Sequence, residues 1–145
     1  MRVVIGPVSA DSAAAWIGFA REVVADLDAL APGECFSTPE VRGIFDRYLG
    51  EWAAAVARSD GKFVWESDIP AEQVEYHVHA FHQAAAMLAR HEEQTGERQS
   101  PAEGDEFYLA LLTSVLGALE AEGPSSAAFA QHLGQFWPGR DLSLL

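Results

Sequence analysis

A chain of 145 residues that is 49% hydrophobic can bury one sizeable core, and a single domain over residues 1–145 is expected. Its 22 acidic and 9 basic side chains give a formal charge of −13, which repels nucleic acid and anionic membrane surfaces, so neither is an expected partner. One cysteine, Cys35, excludes an intramolecular disulfide and a cysteine zinc cage, and no segment stays apolar long enough to cross a bilayer, which makes cytoplasm the expected compartment.

Residues 1–9 carry the β-branched run Val3, Val4 and Ile5, closed by Gly6 and Pro7, which fits a short strand or an extended arm lying on a helical body. From about Asp11 to Leu30 the spacing predicts a helix, because Trp16, Ala20, Val23, Leu27 and Leu30 form one stripe while Arg21, Glu22, Ala25 and Asp28 face away. Pro32 and Gly33 end it.

A second helix opens at Ser37, Thr38, Pro39 and Glu40, where a hydroxyl cap precedes proline at the first helical position. Its core face is Val41, Ile44, Phe45, Tyr48, Leu49, Trp52 and Val56, and it stops at Ser59, Asp60 and Gly61. Lys62–Trp65 is too short for a helix. Pairing with Val3–Ile5 would make a two-stranded ribbon, which is marginal unless it packs on helices.

The stretch from Trp65 to Glu93 holds four of the five histidines. Asp68 and Pro70 mark a helix start, and Val74, Val78, Phe81, Ala85 and Leu88 recur at three and four residues, predicting a continuous helix over 70–93. At roughly 100° per residue, Glu75, His79 and His82 fall within an arc of about 60° beside the apolar stripe. His77 falls on the other flank, and His91 lies a turn beyond Leu88.

Thr95–Gly104 reads as a polar loop. The next predicted helix, Asp105–Gly123, is apolar over more than half its circumference and is expected to be the most buried. Pro124, Ser125 and Ser126 open a last helix with Phe129, Leu133 and Phe136 on one face; it ends at Trp137, Pro138 and Gly139 and leaves 140–145 as a tail. The expected fold class is all-α: a single-domain bundle of about five helices, with or without an extended N-terminal arm.

Two imidazoles one turn apart and a carboxylate one turn earlier can supply three ligands to a divalent transition metal, so Glu75, His79 and His82 are the candidate metal site. A fourth ligand would come from a facing helix, where Glu22, Asp26, Glu51 and Glu106 have the right chemistry. The chain has neither Glu-x-x-His nor His-Glu-x-x-His, which excludes ferritin-like di-iron centres and the common zinc protease helix. The same three residues also describe a half-buried boundary without metal, and this plainer reading is preferred because such groupings arise on helices by chance. Histidines on one helix of a bundle resemble the DinB-like metal bundles in outline, with no motif to carry the resemblance further.

Cys35 has no positive neighbour in sequence to make it a thiolate, and the glycine-rich signatures of hydrolases, nucleotide-binding and dinucleotide-binding proteins are absent. No catalytic residue is predicted. Trp16 and Trp52 sit on core stripes, whereas Trp65 and Trp137 lie beside turns and are the candidate partner-contact residues. The leading expectation is an acidic interaction or adaptor module that binds a protein partner or itself. The alternative is a metal-dependent enzyme or metal sensor using Glu75, His79 and His82.

Overall fold

In the computed structural model, which describes residues 1–30, 39–74, 76, 77, 80 and 102–121, the N-terminal run is a full strand. Along β1 (Arg2–Ser9), Val3, Ile5 and Val8 are buried while Arg2, Val4 and Pro7 face solvent. Along β2 (Lys62–Asp68), Phe63 and Trp65 are buried while Lys62, Val64, Glu66 and Asp68 are exposed. This period of two is what an antiparallel sheet shows when one face meets a core and the other meets water.

The strands pair antiparallel, with Val3 opposite Ser67, Ile5 opposite Trp65 and Val8 opposite Phe63. Between Ile5 and Val8 the first strand spends one residue more than its partner. That bulge, at the cis Gly6–Pro7 peptide, changes the phase of β1 and brings Val8 onto the same inner face as Val3 and Ile5. Gly6 has φ +105°, in the region that only glycine enters without strain.

The sheet corrects the all-α expectation. Among the described residues there are three α-helices, α1 (Ala10–Leu30), α2 (Pro39–Arg58) and α3 (Asp105–Ala121), with a two-stranded antiparallel sheet in place of part of a five-helix bundle. Residues 1–9 are therefore not a loose arm, and the ribbon reaches past Lys62–Trp65 and Val3–Ile5 in both strands. Its stability has a physical source: β1 packs on α3, β2 packs on α2, and α1 touches both strands, so the inner face is covered by helices. The predicted helices over 70–93 and 124–139, and the tail 140–145, fall largely or wholly outside the described residues. Of the first, Ala71–Gln73 forms a 3-10 turn, and Val74, Tyr76, His77 and Ala80 are helical.

The helices are fixed to one another through their ends. Ser9 caps α1, its hydroxyl accepting from the Ser12 N–H at 3.3 Å. The Ser12 hydroxyl in turn accepts from the Phe107 N–H at 3.0 Å, and the Glu106 carboxylate accepts from the Ser9 N–H at 3.1 Å. The first turns of α1 and α3 thus satisfy each other's orphan amides. Arg42 of α2 makes a two-pronged contact with Asp28 of α1, at 3.0 and 2.8 Å, and also holds Asp46.

Large rings fill the space between. Trp16 lies 6.1 Å from Trp52 and 5.4 Å from Phe107; Trp52 lies 5.8 Å from Trp65; Phe63 lies 5.4 Å from Phe107. Such spacings are those of favourable edge and tilted aromatic pairs. Gly104, just before α3, passes so close to Trp16 that an added Cβ would sit 3.1 Å from the tryptophan Cβ. No described helix is long and apolar enough to cross a membrane.

Candidate functional site

Helix α2 carries two adjacent stripes. Val41, Phe45, Tyr48, Leu49 and Trp52 are buried in the core. Beside them Glu40, Gly43, Ile44 and Arg47, spaced at three and four residues, line one wall of an open cleft of about 690 Å³. The facing wall is Gln73, at the end of the 3-10 turn after β2, with Tyr76 and His77 from the helical residues that follow it. Neighbouring positions behave oppositely there: Tyr76 is 53% exposed and His77 is 2% exposed.

Beneath the cleft the Tyr48 hydroxyl and the His77 Nδ1 share a hydrogen bond. The two rings meet edge to face with centroids 5.5 Å apart. Tyr48 is itself locked in the core, stacked on Trp52 at 5.6 Å and edge-on to Trp65 at 5.3 Å. The Arg47 guanidinium lies 5.8 Å from the centre of the Tyr48 ring, on the cleft side.

Burial sets the charge state of this pair. It raises the Tyr48 phenol well above its ordinary value of 10.0, with Arg47 drawing it part of the way back through its charge and a hydrogen bond and the Glu51 charge pushing it up. Burial also lowers His77 below 6.5, and the positive charge of Arg47 lowers it further. At neutral pH the pair is therefore a phenol and a neutral imidazole. A neutral imidazole offers one donor nitrogen and one acceptor nitrogen.

Glu75, His79 and His82, the candidate metal site, lie outside the described residues, as do Trp137 and Cys35. Among the described residues no group of three or more His, Cys, Asp or Glu side chains could hold a metal ion. Of the further ligands considered, Glu106 accepts from Ser9 and Glu51 sits 3.9 Å from Arg47. Trp65, the other partner-contact candidate, is 8% exposed and packs against Tyr48 and Trp52.

His77 is the cleft residue that sequence reasoning missed. At about 100° per residue it falls roughly 20° from Leu88, on the edge of the apolar stripe. Tyr48 stands in the middle of the α2 core stripe. Two polar tips on two apolar faces each need a buried partner, and that shared need was the available signal. A second, smaller cleft of about 390 Å³ lies between α1 and α2, lined by Arg21 and by Arg42, Asp28 and Asp46, the last three of which are paired with one another. In comparisons with known protein families, with curated proteins and with solved structures, nothing matches the chain.

Proposed function

We propose that this protein is an interaction module that seats a segment of a different polypeptide in the cleft between α2 and the turn after β2. The observation that supports it is the placement of Tyr76, more than half exposed, beside Ile44 and Arg47 along a cleft of about 690 Å³. Tyrosine and arginine are the side chains that dominate binding hot spots, and an aliphatic wall beside them supplies area that excludes water. A second copy of the chain is a poor occupant, because each copy has a formal charge of −13 and like-charged surfaces repel.

The test places a photo-reactive amino acid at position 76, with position 64 on the outer sheet face as control, since Val64 is 50% exposed and stands on the opposite side of β2 from the core. A discrete adduct from position 76 alone, of a mass other than a dimer and abolished by Ile44→Asp, is the expected result. Equal labelling from both positions, or a dimer adduct, overturns it. No described side chain favours the metal-dependent alternative over this reading.

A further inference from the structure

Charge is unevenly spread along the cleft. Glu40 lines it in the first turn of α2 and is exposed, and among the described residues its carboxylate has no hydrogen-bonding or ionic partner. Arg47 lines it two helical turns further on, with its Cα about 10 Å along the axis. The Arg47 charge is partly offset on its own side, because the Glu51 carboxylate lies 3.9 Å away. His77, neutral at neutral pH, adds no charge. The Glu40 end is therefore left negative.

We propose that the segment seated in this cleft is basic: its cationic side chain lies over the floor at Gly43 with the Glu40 carboxylate as counter-ion, and an apolar neighbour in the segment covers Ile44. The inference rests on the cleft being a polypeptide-docking site and names the chemistry of what docks. An added Cβ at Gly43 would meet nothing within 4 Å, so the floor one turn from Glu40 is open and admits the aliphatic stem of a lysine or arginine. Tyr76, 53% exposed, lines the facing wall. The face of such a ring attracts a cation, so it and Glu40 favour the same kind of guest.

The formal charge of −13 acts in the same direction, since it repels a second acidic copy and steers a basic partner toward the surface. That field extends over the whole chain and is screened beyond about 8 Å at physiological salt, so the local groups decide where a basic segment settles. Glu22 on α1 is exposed like Glu40 but lines neither of the two clefts. Arg47 opposes a second cation, which confines the basic residue to the Glu40 end.

The test uses the full chain labelled with ¹⁵N and three capped peptides: acetyl-Ala-Leu-Lys-Leu-Ala-amide and the same sequence with glutamine or glutamate in place of the lysine. The expected result is saturable shifts of the Gly43, Ile44 and Tyr76 amides, with the lysine peptide bound about threefold or more tighter than the glutamine peptide and the glutamate peptide weakest. Glu40→Gln should remove the lysine preference, whereas Glu22→Gln, which changes the net charge equally, should keep it. Both side chains are exposed, so both variants fold. Equal binding of the lysine and glutamine peptides, tighter binding of the glutamate peptide, or equal effects of the two substitutions overturns the basic-segment inference. If the cleft amides still shift saturably in those cases, docking stands and only the charge of the guest falls. Silence of every cleft amide with all three peptides overturns both.

Discussion

Replacing Gly6 with alanine tests the bulge that holds the sheet in register. Gly6 has φ +105°, and forcing an L residue there costs about 1–2 kcal/mol. The new Cβ would also collide with the Phe63 carbonyl oxygen and stand 3.2 Å from the Val64 Cα. Those atoms are backbone of the paired strand and cannot rotate away, so relief requires β2 to move, at a further cost of about 1–3 kcal/mol. Reduced freedom of the unfolded chain returns about 0.4–1 kcal/mol. The net loss is about 2–4 kcal/mol, a large share of a typical stability of about 5–15 kcal/mol.

Gly61 provides the matched control, because it too has positive φ, at +83°, but nothing lies within 4 Å of its added Cβ. Gly61→Ala therefore loses the strain term alone, about 1 kcal/mol. In urea titrations with an m-value of about 1.5 kcal/mol/M, the midpoint should fall by about 2 M for Gly6→Ala and by about 0.7 M for Gly61→Ala. Equal shifts for the two variants would refute the close approach of Gly6 to β2.

The other predictions concern buried polar groups. Tyr48→Phe leaves the His77 Nδ1 without its partner and should cost about 1–3 kcal/mol in thermal or urea unfolding, more than its lost volume explains. Stability should fall as pH drops below 6.5, because His77 is held below that value when folded and the unfolded chain binds the extra proton; His77→Phe should flatten the acid limb. The opposite sign holds for Tyr48, raised above 10.0, whose contribution is whole below pH 10 and is lost as pH rises beyond it. Arg42→Met should cost about 1–2 kcal/mol, since it severs the two-pronged contact of α2 with Asp28, whereas Arg47→Gln, on a side chain 54% exposed, should cost less than about 0.5 kcal/mol.

Where local signals decide, the fold was legible. The Ser37–Glu40 cap placed the start of α2, which begins at Pro39, and Val41, Phe45, Tyr48, Leu49 and Trp52 are buried as their spacing requires. Ile44 was placed on that face too, yet it is only partly buried, because it stands where the core stripe turns into the cleft wall. The strand β1 was harder. Gly6 and Pro7 are strand terminators until a partner is known, and they act here as a bulge whose partner, Phe63 to Trp65, lies nearly 60 residues away in the chain. The ribbon is stable only because three helices cover it, and that fact belongs to packing and not to any window of sequence.

Histidine clustering pointed to residues 75, 79 and 82 for the same reason: proximity on one predicted helix is visible locally, whereas the Tyr48–His77 pair joins positions 29 apart. A lone histidine and a lone tyrosine become a site only once their two helix faces are known to meet.

Because the Tyr48 ring is packed between Trp52 and Trp65, the core fixes where its hydroxyl oxygen sits beside the His77 Nδ1, and the geometry under the cleft follows from the packing of the core. Removing one jaw should therefore loosen the site by more than it loosens the fold. Trp65→Leu and Phe63→Leu both shrink a buried ring on the inner face of β2, at a cost of about 2–4 kcal/mol each. Only Trp65 touches the Tyr48 ring; Phe63 packs on Phe107. At temperatures where both variants remain folded, the His77 ring ¹⁵N signals should move away from the parent values in Trp65→Leu and match the parent in Phe63→Leu. If the two variants perturb His77 alike, general loosening and not the aromatic clamp governs the imidazole, and the link between core and cleft fails.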